Sequence, residues 1–150
     1  MAEAAPPDDP RILWTEDVLR YRDSDANGHV NNAVFAGFCE SGRVQFFAAH
    51  LRPVLAEGCA LVIARFVIDY RGELHFPGRV RTGTWLARIG RSSLGFRNRI
   101  LAEGRLVGEA EAACVVIDAE SRRPRPLEGA AREAAERLRR AARFAPTATP

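Results

Sequence analysis

Tyr21-Arg22-Asp23-Ser24-Asp25-Ala26-Asn27-Gly28-His29-Val30-Asn31-Asn32 is the stretch on which the reading of this chain turns. Asp, Asn, Ser and Gly crowd together in it, the residues that bend a backbone through Asx turns and left-handed positions. Ahead of it, Ile12 to Arg22 opens with apolar and aromatic residues and predicts a first strand that runs into the loop. Behind it, Asn31 or Asn32 can cap a helix running to about His50, with Pro53 marking its exit. Two carboxylates, a glycine and a histidine therefore stand just before a helix start, where the first N–H groups have no intrahelical partner and the helix dipole adds positive charge.

Working outward, Phe35, Phe38, Cys39, Gly42, Phe46 and Ala49 share one face of that helix at the 3.6 period, while Val44 and Phe47 fall off it. Apolar residues on several sides predict a helix surrounded by other structure. From Leu61 the period becomes two, with Val62, Ala64, Phe66, Ile68 and Tyr70 alternating with Leu61, Ile63, Arg65, Val67 and Asp69. Strands are also predicted at Val80 to Ile89, Ser93 to Leu101 and Leu106 to Asp118. The short connections Gly90-Arg91-Ser92 and Glu103-Gly104 favour antiparallel hairpins. The expected fold class is α+β: an antiparallel sheet with one early helix on its concave face, and an extra C-terminal helix from Leu127 to Phe144.

Composition bounds the rest. A chain of 150 residues holds one domain, 1–150, with its core over about 12–118 and the C-terminal helix over about 127–144. Apolar residues at 47% and charged residues at 27% describe an ordinary globular protein. No apolar run approaches the roughly 20 residues of a membrane span, and the Pro-rich, acidic start is unlike a signal peptide. The expected address is the cytoplasm, with no membrane partner. Cys39, Cys59 and Cys114 are widely spaced among apolar neighbours and read as small core residues. A net charge of +3 excludes a strongly basic nucleic-acid binder. Between Arg79 and Arg105, however, seven arginines face only Glu103, a supply of cations for an anionic ligand. The Pro-rich start and Ala145 to Pro150 read as frayed termini, and the basic face of the C-terminal helix as a solvated surface.

The loop carries the chemistry. A carbonyl docked on the helix-start N–H groups would be polarised, each such donor being worth roughly 3 to 4 kcal/mol in a transition state. A neighbouring carboxylate could attack the carbon or deprotonate a water. The same residues are also ordinary turn material, and two aspartates at alternate positions point to opposite sides of an extended chain, so at most one of them faces a site. Asp23 is free to pair with an arginine. His29 reads as an acid, a base or a hydrogen-bonding scaffold. His29, His50 and His75 lack recognisable metal-ligand spacing, so no metal site is assigned.

Asp23, Asp25, Gly28 and Val30, followed on the helix by Phe35, Glu40 and Arg43, resemble the hotdog thioesterases of the 4-hydroxybenzoyl-CoA thioesterase type. Gly28 to Asn32 is a common loop variant in that group. The resemblance continues through Phe66-Val67-Ile68-Asp69-Tyr70, Phe76-Pro77-Gly78 and Ile89-Gly90-Arg91-Ser92-Ser93, over roughly residues 15 to 118. It implies a hotdog fold, Asp25 as catalytic carboxylate, the Asn32 N–H as oxyanion donor, and Gly28 as the residue that permits the turn. His29 joins them as a candidate. Phe35 stands where relatives often have Tyr, so a hydroxyl contact is lost and the acyl pocket differs. Arg91, Ser92 and Ser93 match the hairpin that approaches coenzyme A, and Arg91 is also an ordinary turn residue. Glu40 and Arg43 read as a structural pair on the helix.

The expected activity is therefore hydrolysis of an acyl-CoA small-molecule substrate to a carboxylic acid and free coenzyme A. No separate cofactor is called for, since coenzyme A is part of the substrate. The resemblance implies sites built between subunits, and the sheet edge that one short sheet leaves exposed predicts an oligomer with a dimer as its minimum unit, so a homodimer or homotetramer is expected. Alternatives are an acyl-carrier-protein thioesterase and a non-catalytic acyl-CoA binding or sensing module. The short segment before residue 15 offers no DNA-binding unit, so no nucleic-acid partner is assigned.

Overall fold

The computed structural model describes residues 9–139. The expected termini, and the part of the predicted C-terminal helix after residue 139, lie outside these described residues. Five strands, β1 (Leu13–Val18), β2 (Cys59–Tyr70), β3 (Arg79–Ile89), β4 (Ser93–Ala102) and β5 (Arg105–Asp118), form one antiparallel sheet in the order β1-β3-β4-β5-β2. Helix α1 (Asn32–Phe46) packs on one face of it, and α2 (Gly129–Leu138) covers one end.

Each strand shows why it is a strand. Along β4, Leu94, Phe96, Asn98, Ile100 and Ala102 are buried under α1 while the residues between them are half-exposed, the period of two that a one-sided sheet imposes. Strand β2 departs from the simple alternation. Its pairing with β5 slips between Ile63 and Arg65, so Ala64 is an extra residue and the inward set changes from Cys59 and Leu61 to Phe66 and Ile68. Such a bulge bends the strand, and the slip breaks the uninterrupted even-numbered face read from the sequence.

The first strand is shorter than expected. It ends at Val18, and Tyr21–Asp23 form a tight helical turn instead of its continuation. The helix continues past Phe46 as a widened π-type turn, Phe47–Leu51. That widening rotates the buried face, so Phe47 and Leu51 enter the core while Ala49, expected inside, is exposed. Val44 lies at 60% exposure, so the helix is not enclosed on all sides within one protomer.

Two apolar clusters fill the interior. Phe46, Leu86, Phe96 and Val116 gather at the α2 end, where α2 adds Ala131, Ala134 and Ala135. Phe35, Phe38, Leu74, Val80 and Ile100 gather at the other end, beneath the Asp25 loop. Cys39, Cys59 and Cys114 are buried free thiols, and burial pushes the Cys39 thiol up to about 12. No helix among the described residues is long and apolar enough to cross a membrane.

Candidate active site

The Asp25 loop is a small closed structure rather than a loose connection. Ser24 bridges Val30, the Asp25 N–H donates to His29 O at 3.0 Å, and the Gly28 N–H donates back to Asp25 O at 3.0 Å. Gly28 holds φ +81°, a backbone position that favours glycine. The Asn27 N–H donates to Asp25 Oδ1 at 2.8 Å, an Asx turn that fixes the carboxylate and leaves Oδ2 without a hydrogen bond among the described residues. The half-buried Asp25 is thus oriented by its own turn and still has an oxygen for chemistry.

The loop is clasped from outside. The Val30 N–H donates to Leu74 O at 2.7 Å and the Asn31 N–H to Asp23 O at 2.8 Å, so the β2–β3 connection and the preceding turn hold the helix start in place. Asn31 is the N-cap, its side chain accepting from the Ala33 N–H at 2.9 Å. Asn32 is the first helical residue, and its N–H is among those a helix leaves unpaired.

Asp23 does not pair with an arginine. Its Oδ2 accepts from the Arg20 backbone N–H at 2.7 Å, capping the short turn before the loop, so of the two aspartates Asp23 is the scaffold. That position has a second effect: the Asp23 charge joins burial in raising the carboxyl pKa of Asp17, while Arg20 opposes both.

Beside the helix start lies a pocket of about 280 Å³ lined by His29, Asn32, Phe35, Tyr70 and Glu73. Asp25 stands next to this lining rather than within it. Phe35 forms its apolar wall, and the Tyr70 ring meets Phe35 edge-on at 5.2 Å. The Tyr70 hydroxyl donates to Asn32 O at 3.0 Å. A hydroxyl therefore reaches this pocket from the far end of β2, although position 35 has none. Sequence reading gave Tyr70 no role of its own, because only the packing of β2 against α1 brings it there.

Glu73 and His75 were also unassigned. His75 Nδ1 lies 3.2 Å from Gly28 O, and its Nε2 lies 3.3 Å from Glu73 Oε2, so this pair braces the tip of the loop. The His29 and His75 rings stand 6.4 Å apart, whereas His50 packs on Phe46 at the other end of α1. Among the described residues no cluster of three or more His, Cys, Asp or Glu side chains could hold a metal ion.

The arginine-rich stretch is partly neutralised across strands. Arg97 pairs with Glu111, Arg99 with Glu109 at 3.3 Å, and Arg81 with Glu16 at 3.6 Å. Those partners lie on neighbouring strands, which a count along one segment overlooks. Arg91 is exposed in the β3–β4 turn, with Ser92 and Ser93 half-buried beside it. This turn sits at the opposite end of β3 from the Asp25 loop, about 30 Å away at the usual rise per strand residue. One protomer does not bring Arg91, Ser92 and Ser93 to Asp25. Nor do Glu40 and Arg43 pair with each other: Glu40 is exposed, while Arg43 is buried over the Phe66 ring.

A curved antiparallel sheet around one long helix, with a carboxylate loop at the helix start, defines the hotdog class of α+β proteins. The chain belongs to the thioesterase-like superfamily, which it matches over residues 19–138, and it is a thioester hydrolase. It is 30% identical over 111 residues to the acyl-CoA thioester hydrolase YbgC of Escherichia coli, a match covering 71% of this chain and 83% of that one. Among solved structures it resembles a thioesterase of Thermus thermophilus crystallised with coenzyme A and zinc, with 34% identity, a TM-score of 0.72, and 81% and 95% of the two chains covered. A predicted thioesterase of Bacillus stearothermophilus shares the fold at a TM-score of 0.79 and 23% identity, over 87% and 98% of the two chains.

Proposed function

We propose that this protein hydrolyses an acyl-CoA thioester to a carboxylic acid and free coenzyme A, with Asp25 as nucleophile or general base and the Asn32 N–H receiving the oxyanion. The observation that carries the reading is the Asx turn at Asp25, which presents one free carboxylate oxygen beside a helix start and an apolar-walled pocket. The thioester carbonyl lies over the helix start, where an N–H without an intrahelical partner meets the developing negative charge. Water, activated by Asp25 or used to hydrolyse an acyl-Asp25 intermediate, supplies the second oxygen of the acid. The thiolate leaves with the proton that water gives up. Gly28 permits the turn, and Phe35 lines the acyl side.

His29 serves this reading as a wall and a loop brace, its Nδ1 lying 3.3 Å from Val30 O. The reading calls for no metal and no separate cofactor, and its site layout is that of the 4-hydroxybenzoyl-CoA type.

The working unit in this proposal is a dimer. Among the described residues strand β2 pairs only with β5, which leaves its other, twelve-residue edge without a partner there, and Ile63, Val67 and Tyr70 are exposed along it. Two copies joined antiparallel through β2 bring the start of one β2 beside the end of the other. The Gly90–Ser92 turn lies at the β2-start end, so this symmetry carries the partner's Arg91 toward Asp25. Hydrolysis of a panel of acyl-CoA esters, read as free thiol, tests the activity. No release from any member refutes it in favour of a binding module, and release from acyl-carrier-protein esters alone points to that carrier instead.

A further inference from the structure

Arg43 is 7% exposed, with its guanidinium carbon 5.2 Å from the Phe66 ring centroid and its Nη1 without a hydrogen-bond partner among the described residues. The Cys114 side chain hydrogen-bonds Arg43, but neither it nor Cys39 balances the charge, because burial raises both thiol pKa values. A guanidinium cannot shed its proton, and a buried charge without a counter-ion is costly, so this arrangement calls for an anionic partner. Arg43 opens onto a cavity of about 250 Å³ between α1 and the start of β2, where Arg52 adds a second cation. Glu40, one turn earlier on α1, stands on the rim of the same cavity, is exposed, and has no ion pair among the described residues.

We propose that Glu40 of each protomer enters the other's cavity and pairs with the partner's Arg43, forming two symmetry-related ion pairs at the centre of the dimer. This rests on the intersubunit reading above and adds to it the register of the helices. Along the groove, Phe35 lies against Tyr70 and Arg43 against Phe66, so α1 runs antiparallel to β2. Joining two β2 edges by a two-fold axis therefore lays the two α1 helices side by side and antiparallel. In such a contact, if residue 40 meets 43, then 43 meets 40. Val44 and Ile63, exposed at 60% and 50%, flank the cavity and supply the apolar rim. A side chain added at Gly37, one turn before Glu40, would meet nothing within 4 Å, so that turn leaves room for a neighbouring helix.

The test is a double-mutant cycle on the dimer dissociation constant, measured by sedimentation of the full chain, with circular dichroism recording the fold. Glu40→Gln and Arg43→Met should each weaken the dimer at least about tenfold, and the double variant should be little worse than the weaker single. Glu40→Lys, which sets two cations together, should weaken it more than Glu40→Gln. Glu40 is exposed in the protomer, so its variants remain informative if Arg43→Met fails to fold. A wild-type dimer that Glu40→Gln leaves unchanged, or single effects that simply multiply, overturns the ion pair and spares the intersubunit site. A wild-type chain that is monomeric at micromolar concentration overturns both.

Discussion

Replacing Gly42 by alanine should destabilise the protein, although it exchanges a poor helix former for the best one. In an exposed helix interior that change gains about 1 kcal/mol. Here the new methyl group would run into the Thr84 hydroxyl, which belongs to a fully buried pair in which Asn98 Nδ2 donates to Thr84 Oγ1 at 2.7 Å. Overpacking a rigid core costs about 1–3 kcal/mol. Turning Thr84 aside also breaks the bond to Asn98, and an unsatisfied buried amide costs about 1–3 kcal/mol more. Set against the helix gain, the net loss is about 3 kcal/mol. Urea unfolding at a fixed protein concentration reads it: with a slope of about 1–3 kcal/mol per molar, the midpoint should fall by roughly 1–3 M. A midpoint unchanged or raised would mean that α1 does not approach the sheet at Gly42 as described, and the placement of the Asp25 loop above that contact would lose its support.

Three further outcomes follow from single contacts. Tyr70→Phe keeps the ring on Phe35 and removes the donor to Asn32 O. It should lower kcat about fivefold with little change in KM, the scale of one ordinary hydrogen bond of about 1 kcal/mol, and a rise in KM alone would make Tyr70 a binding residue instead. Burial and the neighbouring Asp23 raise the Asp17 carboxyl pKa, so its ionised form is disfavoured in the folded state. Asp17→Asn should therefore stabilise the protein at neutral pH, with the gain vanishing as pH falls below the ordinary value of 3.8, where both folded and unfolded chains carry the proton; thermal unfolding across pH checks the sign. Arg91→Ala should raise KM for acyl-CoA more than for a minimal pantetheine thioester, and equal effects on the two would assign Arg91 to folding.

What the sequence discloses about this protein is local, and what it conceals is tertiary. The loop, the helix start at Asn31 and Asn32, and the β3–β4–β5 hairpins were legible because turn residues and periodicity act over a few neighbours. The bulge at Ala64 and the widened turn after Phe46 were not, because each is fixed by what packs against it: β5 in one case, and the cluster around Leu51 in the other. At the site, Asp25, Gly28 and Asn32 could be picked from one segment. Tyr70, Glu73 and His75 could not, since they arrive from a strand and a connection some forty residues away. The arginine-rich stretch misled for the same reason, its counter-charges Glu109 and Glu111 lying on the adjacent strand.

In the proposed reaction the Asp25 carboxylate does the chemistry. Asp25→Asn retains an oxygen that can accept the Asn27 N–H, and so much of the turn, while removing the charge. With the best acyl-CoA from the panel, single-turnover hydrolysis by this variant should be slower by at least about a hundredfold, the scale of acid–base catalysis, with the oligomer and substrate binding nearly unchanged. Asp23→Asn, whose side chain only caps the preceding turn, should lose far less. A folded Asp25→Asn protein that hydrolyses at the wild-type rate would contradict the assignment.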